Sequence, residues 1–332
     1  MYQDKERPII FVLSVDTEEE WDWSGPFPEQ KTSVKNIDRL PAFHKMCTGL
    51  GVRPTYFVDY AVADSDAAVN AMSTFSANGS CEIGAHLHPW CNPPYVGKTT
   101  DEKSHVINLP VELVSQKLDS LVERIEQQFS VKPTSFRTGR WGIDGKVLNL
   151  LVEAGFTVDS SIYPFYQNEY FSCHGAPAIP YWPDLTNPLQ QAEQNRIYEL
   201  PVTVGFNRQN FTLCNQIHSL FSMPPYSWTR FNGVAWHTHL LRKNYLCPEL
   251  SLVDDMLALC DTVINNEYPV LHMYMHSSSL IDNNNNLIGN HNADQFITTA
   301  VEQVITRLKN KYNIEFCTIT EAAQKLQSLN EQ

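Results

Sequence analysis

The chain has 332 residues, of which 42% are hydrophobic and 18% are charged. This composition is that of a globular protein and excludes a disordered chain, which has few apolar residues and a high charge. The formal net charge of -13 disfavours a nucleic-acid-binding protein, because an acidic surface repels the phosphate backbone. The longest apolar runs have about five residues, far fewer than the ~20 that span a bilayer, so we expect no transmembrane segment.

The first eight residues carry mixed charges and lead into a short apolar run without a small-residue cleavage site. This start does not resemble a signal peptide, and we therefore expect a cytoplasmic protein. Eight cysteines are spread along the chain without a Cys-x-x-Cys pair, and in that compartment we expect reduced, mostly buried thiols. Without a linker or repeat, residues 1–332 are expected to form a single domain. The sequence does not indicate an oligomeric state.

Short apolar runs alternate with segments of helical periodicity along most of the chain. Residues 9–15 are almost continuously apolar, which is typical of a strand buried on both faces. Further strands are expected at 55–58, 81–86, 134–137, 270–276 and 314–319. Helices are expected at 34–50, about 63–77, 110–129, 144–155, 250–265 and 292–310, and a polar loop at 282–286.

The segment of about 160–245 interrupts this alternation. It is rich in proline, asparagine, glutamine and aromatic residues, and only residues 198–204 have the pattern of a strand. Alternating strands and helices favour a parallel sheet covered by helices, either open or closed into a barrel. We therefore expect an α/β fold with an irregular insertion at about 160–245.

Two strand ends carry side chains that suit a metal ion. In a parallel α/β fold the carboxyl ends of the strands meet at one place. Asp16 and Glu18 follow the first strand and share a side because strand side chains alternate, and His86 and His88 do so after the third. Two imidazoles and a carboxylate are the usual ligands of a catalytic zinc. The alternatives are a solvated acidic loop and histidines that pack in the core.

Four further histidines lie near the expected strands or inside the irregular segment. His276 lies at the exit of the strand expected at 270–276, whereas His272 lies inside it and is expected to pack in the core or support the site. His237 and His239 repeat the His-x-His spacing but have no acidic neighbour, which favours packing or substrate contact. The glycine patterns of dinucleotide sites, phosphate-binding loops and serine-hydrolase elbows do not occur.

Several short patterns, in chain order, resemble the motifs of the NodB homology domain. This domain defines the polysaccharide deacetylase superfamily, carbohydrate esterase family four. The patterns are Ser14-Val15-Asp16-Thr17-Glu18, Thr55-Tyr56-Phe57-Val58, Glu82-Ile83-Gly84-Ala85-His86, Arg137-Thr138-Gly139, Glu199-Leu200-Pro201 and His276. The resemblance covers most of residues 8–325. It implies a distorted (β/α) barrel of about seven parallel strands, a divalent metal that is usually zinc, and hydrolysis of N-acetyl groups on sugars.

The resemblance also implies roles for four residues. Asp16 resembles the general base, His86 the first metal ligand, Arg137 the group that orients the base, and His276 the general acid. The family's fourth motif is not cleanly recognisable in this chain. Candidates for it are Asp159 and Trp182.

The chain departs from the family pattern at two ligand positions. The family usually has adjacent carboxylates in its first motif, but Thr17 intervenes here, so Glu18 is expected to bind the metal. Its second histidine usually follows the first by four residues, where this chain has Trp90, so His88 is expected to serve. Both replacements keep the two donors on one side of their strand.

We therefore expect a metal-dependent hydrolase that removes N-acetyl or similar acyl groups from a small or oligomeric saccharide. Trp90 and Trp141 are expected to bind substrate, because aromatic rings stack on the apolar faces of sugars, although such residues also pack in cores. One alternative is hydrolysis of a non-sugar amide or cyclic imide, which a pocket narrowed by the insertion would favour. Another is a catalytically silent protein that binds a glycan.

Overall fold

The structure is a computed structural model that describes residues 8–282 and 292–330. Its strands are β1 (Ile9–Thr17), β2 (Thr55–Val58), β3 (Glu82–Leu87), β4 (Ser135–Thr138), β5 (Val158–Asp159), β6 (Tyr198–Glu199), β7 (Val204–Phe206), β8 (Lys243–Tyr245), β9 (Val270–His276) and β10 (Ile314–Phe316). Its α-helices are α1 (Leu40–Gly49), α2 (Tyr60–Ala63), α3 (Asp66–Ser76), α4 (Val111–Phe129), α5 (Gly145–Ala154), α6 (Phe211–Ser222), α7 (Phe231–His237), α8 (Val253–Asn265), α9 (Ala293–Lys311) and α10 (Ile319–Asn330). The N-terminal residues 1–7, which are not expected to form a signal peptide, and most of the polar loop expected at 282–286 lie outside the described residues.

Eight strands form one curled parallel sheet. β9 pairs with one edge of β1, while β10 and β2 share the other edge, and β3, β4, β5 and β6 follow in order. The open side between β6 and β9 is bridged by backbone hydrogen bonds from Thr203 N to His272 O, 3.0 Å, and from Tyr274 N to Leu246 O, 3.1 Å. The expected α/β fold, a NodB-like distorted barrel, is confirmed.

β1 shows how the sheet separates two cores. Phe11 and Leu13 belong to the outer core, which the helices cover. Ile10 and Val12 belong to an inner core that includes Leu326 of α10. Both faces of β1 are buried, as its continuous apolar run predicts. Apolar side chains and α10 fill this part of the interior, and the polar ends of β1 and β9 lie beyond it.

Local capping signals correctly located several helix ends. The Asp144 side chain accepts a hydrogen bond from Val147 N at 2.9 Å and begins α5, and Gly155 ends it with a φ of 90°. α4 follows Pro110 directly and ends at Phe129, as predicted. Within the described chain, no helix is long and apolar enough to cross a membrane.

Two segments differ from their predicted structure. The predicted strand at 198–204 is interrupted between β6 and β7, because Pro201 has no N–H for a sheet hydrogen bond. The predicted last strand ends at Phe316, and Ile319 begins α10. This helix starts with a capping box, in which Glu321 Oε2 accepts a hydrogen bond from Thr318 N at 3.1 Å. The Thr-x-x-Glu spacing was the sequence signal for it.

The insertion at about 160–245 is more regular than predicted. It contains β7, α6, α7 and β8, and β7 pairs antiparallel with β8. The 12-residue helix α6 has a side-chain N-cap, since Asn210 accepts a hydrogen bond from Leu213 N at 3.0 Å. The polar and aromatic composition of the segment concealed this helix.

Gly84 of β3 gives a test of interior packing. A Cβ at this position would lie 2.6 Å from Phe57 Cδ1 and 2.6 Å from Ser135 Oγ, so one of them must move. We expect Gly84→Ala to lower the free energy of unfolding by ~1–3 kcal/mol, measured by urea denaturation. The control is Gly49→Ala at the end of α1, where a Cβ meets nothing within 4 Å. Equal stability of the two variants would contradict the packing described here.

Candidate active site

Strand register brings the predicted residues together at the carboxyl end of the sheet. Asp16 of β1 pairs in register with His276 of β9, and His86 of β3 pairs with Arg137 of β4. β2 lies between β1 and β3 and contributes Phe57, which pairs in register with Asp16. The residues that resemble a base, a ligand, an orienting group and an acid therefore line one end of the barrel.

Glu18, His86 and His88 converge on one point. The Oε2 atom of Glu18 lies 3.6 Å from His86 Nε2 and 3.3 Å from His88 Nε2, and all three side chains are buried. The two imidazoles are on the same side of the chain, with ring centroids 4.6 Å apart. Ligand atoms grouped in this way could hold a metal ion. A set of two nitrogens and one carboxylate oxygen fits zinc and leaves a coordination position free.

The Nδ1 atoms of His86 and His88 both form hydrogen bonds with oxygen acceptors. His86 Nδ1 lies 3.0 Å from the backbone oxygen of Arg137, and His88 Nδ1 lies 2.9 Å from Glu19 Oε2. An Nδ1–H that donates to these oxygens leaves the lone pair on Nε2, which is the nitrogen that faces Glu18. The donor set therefore fits a cation by orientation as well as by type.

Sequence reasoning missed the buried carboxylates behind His88. Glu19 accepts hydrogen bonds from His88 and from the indole N–H of Trp90, and its backbone N–H lies 3.4 Å from Asp59 Oδ2. Burial opposes ionisation, but His88 and these hydrogen bonds lower the pKa of Glu19 to about 2. Burial and the Glu19 charge raise the pKa of Asp59 well above its usual value. The signal for Asp59 was its position directly after β2.

These carboxylates form a second group of possible metal ligands. Atoms of Glu19, Asp59, His88 and Cys91 lie within 4.8 Å of one another. Both oxygens of Glu19 already accept hydrogen bonds from His88 and Trp90. We therefore interpret the group as the support that orients His88.

A buried ion pair holds Asp16. Arg137 Nη1 donates to Asp16 Oδ1 at 2.5 Å, and both side chains are almost fully buried. Burial would raise the pKa of Asp16, but the charge and hydrogen bond of Arg137, together with the charges of His86 and His276, lower it. The guanidinium lies 4.5 Å from the centroid of the Phe57 ring and 5.0 Å from that of Trp141. Asp16 is thus kept ionised and held in one orientation.

The remaining Arg137 donors are also satisfied. Nε and Nη2 donate to the backbone oxygen and the hydroxyl of Ser160, each at 3.0 Å. Nη2 also lies 3.3 Å from His272 Nε2, and His272 Nδ1 lies 3.1 Å from Pro201 O. Burial and the charge of Arg137 lower the pKa of His272 to about 3, so this imidazole is neutral. His272 therefore packs in the core and supports Arg137.

His276 has a partner that the sequence analysis missed. Glu249 accepts hydrogen bonds from His276 N at 2.6 Å and from Nδ1 at 2.8 Å, while Nε2 lies 3.7 Å from Asp16 Oδ2. Burial would lower the pKa of His276, but the charge of Glu249 and of the nearby carboxylates raises it to about 10. The two fourth-motif candidates, Asp159 and Trp182, are not among the described residues that line the site.

These groups open onto a cavity of about 310 Å³. Asp16, Glu18, His86, His88 and His276 line it, together with Glu249. Its aromatic lining consists of Trp21, Trp23, Trp90, Trp141, Tyr163, Tyr166 and Tyr274. The cavity thus combines a polar, metal-competent group with apolar ring surfaces.

The two tryptophans expected to bind substrate differ in their surroundings. Trp90 is 1% exposed and stacks on the candidate ligand His88, with ring centroids 4.2 Å apart. Little of its ring is therefore left to contact a substrate. Trp141 is partly exposed and stacks on Tyr163, with centroids 4.8 Å apart and an angle of 14°. Trp141 is therefore the better placed of the two to contact a substrate.

The rival histidine pair does not form a metal site among the described residues. His237 ends α7 and His239 follows it, and both are exposed. His239 Nε2 lies 3.0 Å from Arg242 Nη2. These histidines are therefore placed apart from the acidic groups of the cavity.

No protein-family model and no curated protein matches the sequence. Several solved structures match the fold. A structure described as a putative polysaccharide deacetylase from Mycobacterium smegmatis has 12% identity and a TM-score of 0.57; the alignment covers 99% of this chain and 94% of that one. A 4-alpha-glucanotransferase from Thermococcus litoralis has 10% identity and a TM-score of 0.53, with coverage of 96% of this chain and 40% of that one. A family 4 acetyl xylan esterase from Clostridium thermocellum, in complex with a cobalt ion, has 12% identity and a TM-score of 0.44, with coverage of 94% and 89%.

At these identities the likeness is one of fold. A glucanotransferase shares it, so the activity must be argued from the residues of the site. The chain therefore shares the fold of that putative polysaccharide deacetylase.

Proposed function

We propose that this protein is a metal-dependent hydrolase that removes N-acetyl or similar acyl groups from a saccharide. One observation carries the proposal. The cation-competent group of Glu18, His86 and His88 opens onto the same cavity as the ionised Asp16 and the protonated His276. Hydrolysis of an amide needs an activated water, stabilisation of the oxyanion and a proton for the departing amine, and these groups match those needs.

Asp16 and His276 each carry out one of the two proton transfers that the hydrolysis requires. When held by Glu18, His86 and His88, a divalent cation, with zinc as the expected metal, would supply Lewis acidity to the water and the acyl carbonyl. Asp16 is the base: Arg137 occupies Oδ1, while Oδ2, which accepts no hydrogen bond among the described residues and lies 3.7 Å from His276 Nε2, takes a proton from the attacking water. His276, held protonated by Glu249, gives its Nε2 proton to the leaving nitrogen. General acid–base steps of this kind contribute ~10²–10⁴ in rate.

The cavity supports a small substrate. Its volume of about 310 Å³ is close to the lower end of the ~300–1,000 Å³ range of ligand sites. The partly exposed Trp141 and its neighbour Tyr163 offer ring surfaces on which a sugar can stack. Tyr163, Tyr166 and Asn168, from the insertion, form part of the wall, and this narrowing favours a second candidate, hydrolysis of a non-sugar amide or cyclic imide.

The ligand assignment is tested by metal content. We expect His86→Ala to lose the bound metal, because one of three ligands is removed, and Asp16→Asn to retain it while turnover falls by ~10²–10⁴. Metal is measured by mass spectrometry of the dialysed protein. His237→Ala, in the exposed rival pair, is the matched control and should bind metal as the wild type does. Full metal content in His86→Ala would show that the assignment is wrong.

The role of Glu249 is tested by the pH dependence of kcat/KM. The protonated form of His276 is the acid, so activity is lost as the pH rises through its pKa. Glu249→Gln removes the charge that raises this pKa, and we therefore expect the alkaline limb to move to lower pH. Glu153→Gln, an exposed residue of α5, should leave the profile unchanged. An unchanged alkaline limb in Glu249→Gln would refute the assignment of His276.

The substrate class is tested by acetate release from N-acetylated chitooligosaccharides by the metal-loaded protein. We expect release from short oligosaccharides, because the cavity volume of about 310 Å³ lies near the lower end of the range of ligand sites. Bound metal without acetate, combined with hydrolysis of a small amide or cyclic imide, would favour the second candidate. Absence of both metal and hydrolysis would indicate a catalytically silent protein and overturn the proposal.

A further inference from the structure

Helices α6 and α7 form a hairpin with an apolar outer surface. In the described part of the chain, 16 large hydrophobic side chains are exposed, and half of them lie between residues 213 and 240. These eight are Leu213, Leu220, Met223, Tyr226, Trp228, Val234, Trp236 and Leu240. We call this set the α6–α7 surface. Exposed apolar residues are ordinary when scattered, but eight of them within 28 consecutive residues make this hairpin a candidate interaction site.

The hairpin is held together from its inner side. Phe221 of α6 stacks on Phe231 of α7, with ring centroids 4.1 Å apart. Asn232 Nδ2 donates to His218 O and to Ser222 Oγ, both at 2.9 Å. Tyr226 also packs on Phe221, with centroids 6.0 Å apart, and the Arg242 guanidinium lies 4.3 Å from the centroid of Trp236. The other six outward residues have no such ring contact within the described chain and are available to contact a partner.

The tip of the hairpin protrudes into solvent. Every residue from 222 to 230 is exposed, and the Trp228 side chain is 80% exposed. Met223 and Tyr226 flank it on the same tip. An exposed apolar tip of this kind can insert into the surface of a lipid bilayer. Insertion needs no pocket of matching shape, because lipids rearrange around the side chains.

The charge of this region differs from that of the rest of the chain. The protein has a formal net charge of -13, yet the sequence contains no acidic residue between Glu199 and Glu249. Arg230 is exposed at the tip itself. A surface without acidic groups, with an arginine beside tryptophan and tyrosine, complements the anionic headgroups of a membrane.

We propose that the α6–α7 surface docks on the surface of a lipid bilayer. Trp228 and Tyr226 would lie at the headgroup level, where rings with an apolar body and a polar edge are favoured. Met223, on the same tip, would reach the acyl boundary, and Arg230 would contact the phosphates. Such binding is peripheral. It does not depend on the proposed hydrolase activity, so the two can fail separately.

The test uses the full-length protein and sucrose-loaded vesicles of phosphatidylcholine, alone or mixed with phosphatidylglycerol. We expect wild-type protein to sediment with both, and more strongly with the anionic mixture because of Arg230. The triple variant Leu220→Ser, Met223→Ser, Trp228→Ser should lose more than about tenfold in partition coefficient. The matched control changes three exposed apolar residues outside the hairpin, Val96→Ser, Leu252→Ser and Phe296→Ser, and should bind as wild type does.

Circular dichroism melting checks that both triple variants are folded. The proposal would be overturned if the wild type sedimented with neither kind of vesicle. It would also be overturned if the control variant lost as much vesicle binding as the hairpin variant. Sedimentation velocity without lipid tests whether a second copy of the chain binds to the α6–α7 surface instead. A wild-type dimer that the hairpin variant converts to a monomer, with no vesicle binding, would show that the surface pairs with a second copy of the chain and would also overturn it.

Discussion

The buried ion pair between Arg137 and Asp16 connects the two halves of the candidate site. Arg137 belongs to β4 and Asp16 to β1, so the pair spans the barrel interior above Phe57 of β2. Loss of one partner from a pair of this kind leaves a buried charge uncompensated, which typically costs ~3–5 kcal/mol. The backbone oxygen of the same arginine also faces His86 Nδ1. One residue therefore orients both the candidate base and a candidate ligand.

Two histidines of β9 show how the surroundings decide protonation. His272 and His276 are four residues apart on one strand, and therefore on the same side of it. Burial opposes the charged form of both. For His272, burial and the positive charge of Arg137 together bring the pKa to about 3. For His276, the carboxylates of Glu249, Glu18 and Asp16 outweigh burial and raise the pKa to about 10. The same side chain is thus a neutral support at one position and a candidate acid at the other.

The insertion gives the barrel two features that the parallel sheet does not supply. Its first part, through Tyr163 and Tyr166, forms a wall of the cavity and limits its volume. Its second part forms the α6–α7 surface, which differs from the rest of the chain in both charge and exposure. Phe165 links the two parts, since its ring centroid lies 5.8 Å from that of Phe206 and 6.1 Å from that of Phe211.

The sequence by itself determined the class of fold and the strand face on which the main site residues lie. Hydrophobic periodicity and capping are local properties, so the strand at 9–15, the helix ending at Phe129 and the pairing of sides at 86 and 88 could be read directly. α10 was missed although its capping box was present, because the apolar residues before it continued the pattern of a strand. α6 was missed because the polar and aromatic composition of its segment concealed it, although Asn210 supplies a local N-cap.

The tertiary structure alone decided which distant groups meet. Glu249 lies in a loop 27 residues before His276, and Asp59 lies 29 residues before His88; neither has a spacing that marks it as a partner. Each contact depends on strand register and on the path of a loop, which are set by the packing of the whole barrel. The directions of the pKa shifts of Asp59 and His276 depend on these contacts. The sequence therefore indicated the reactive groups, and only the fold determined their charge.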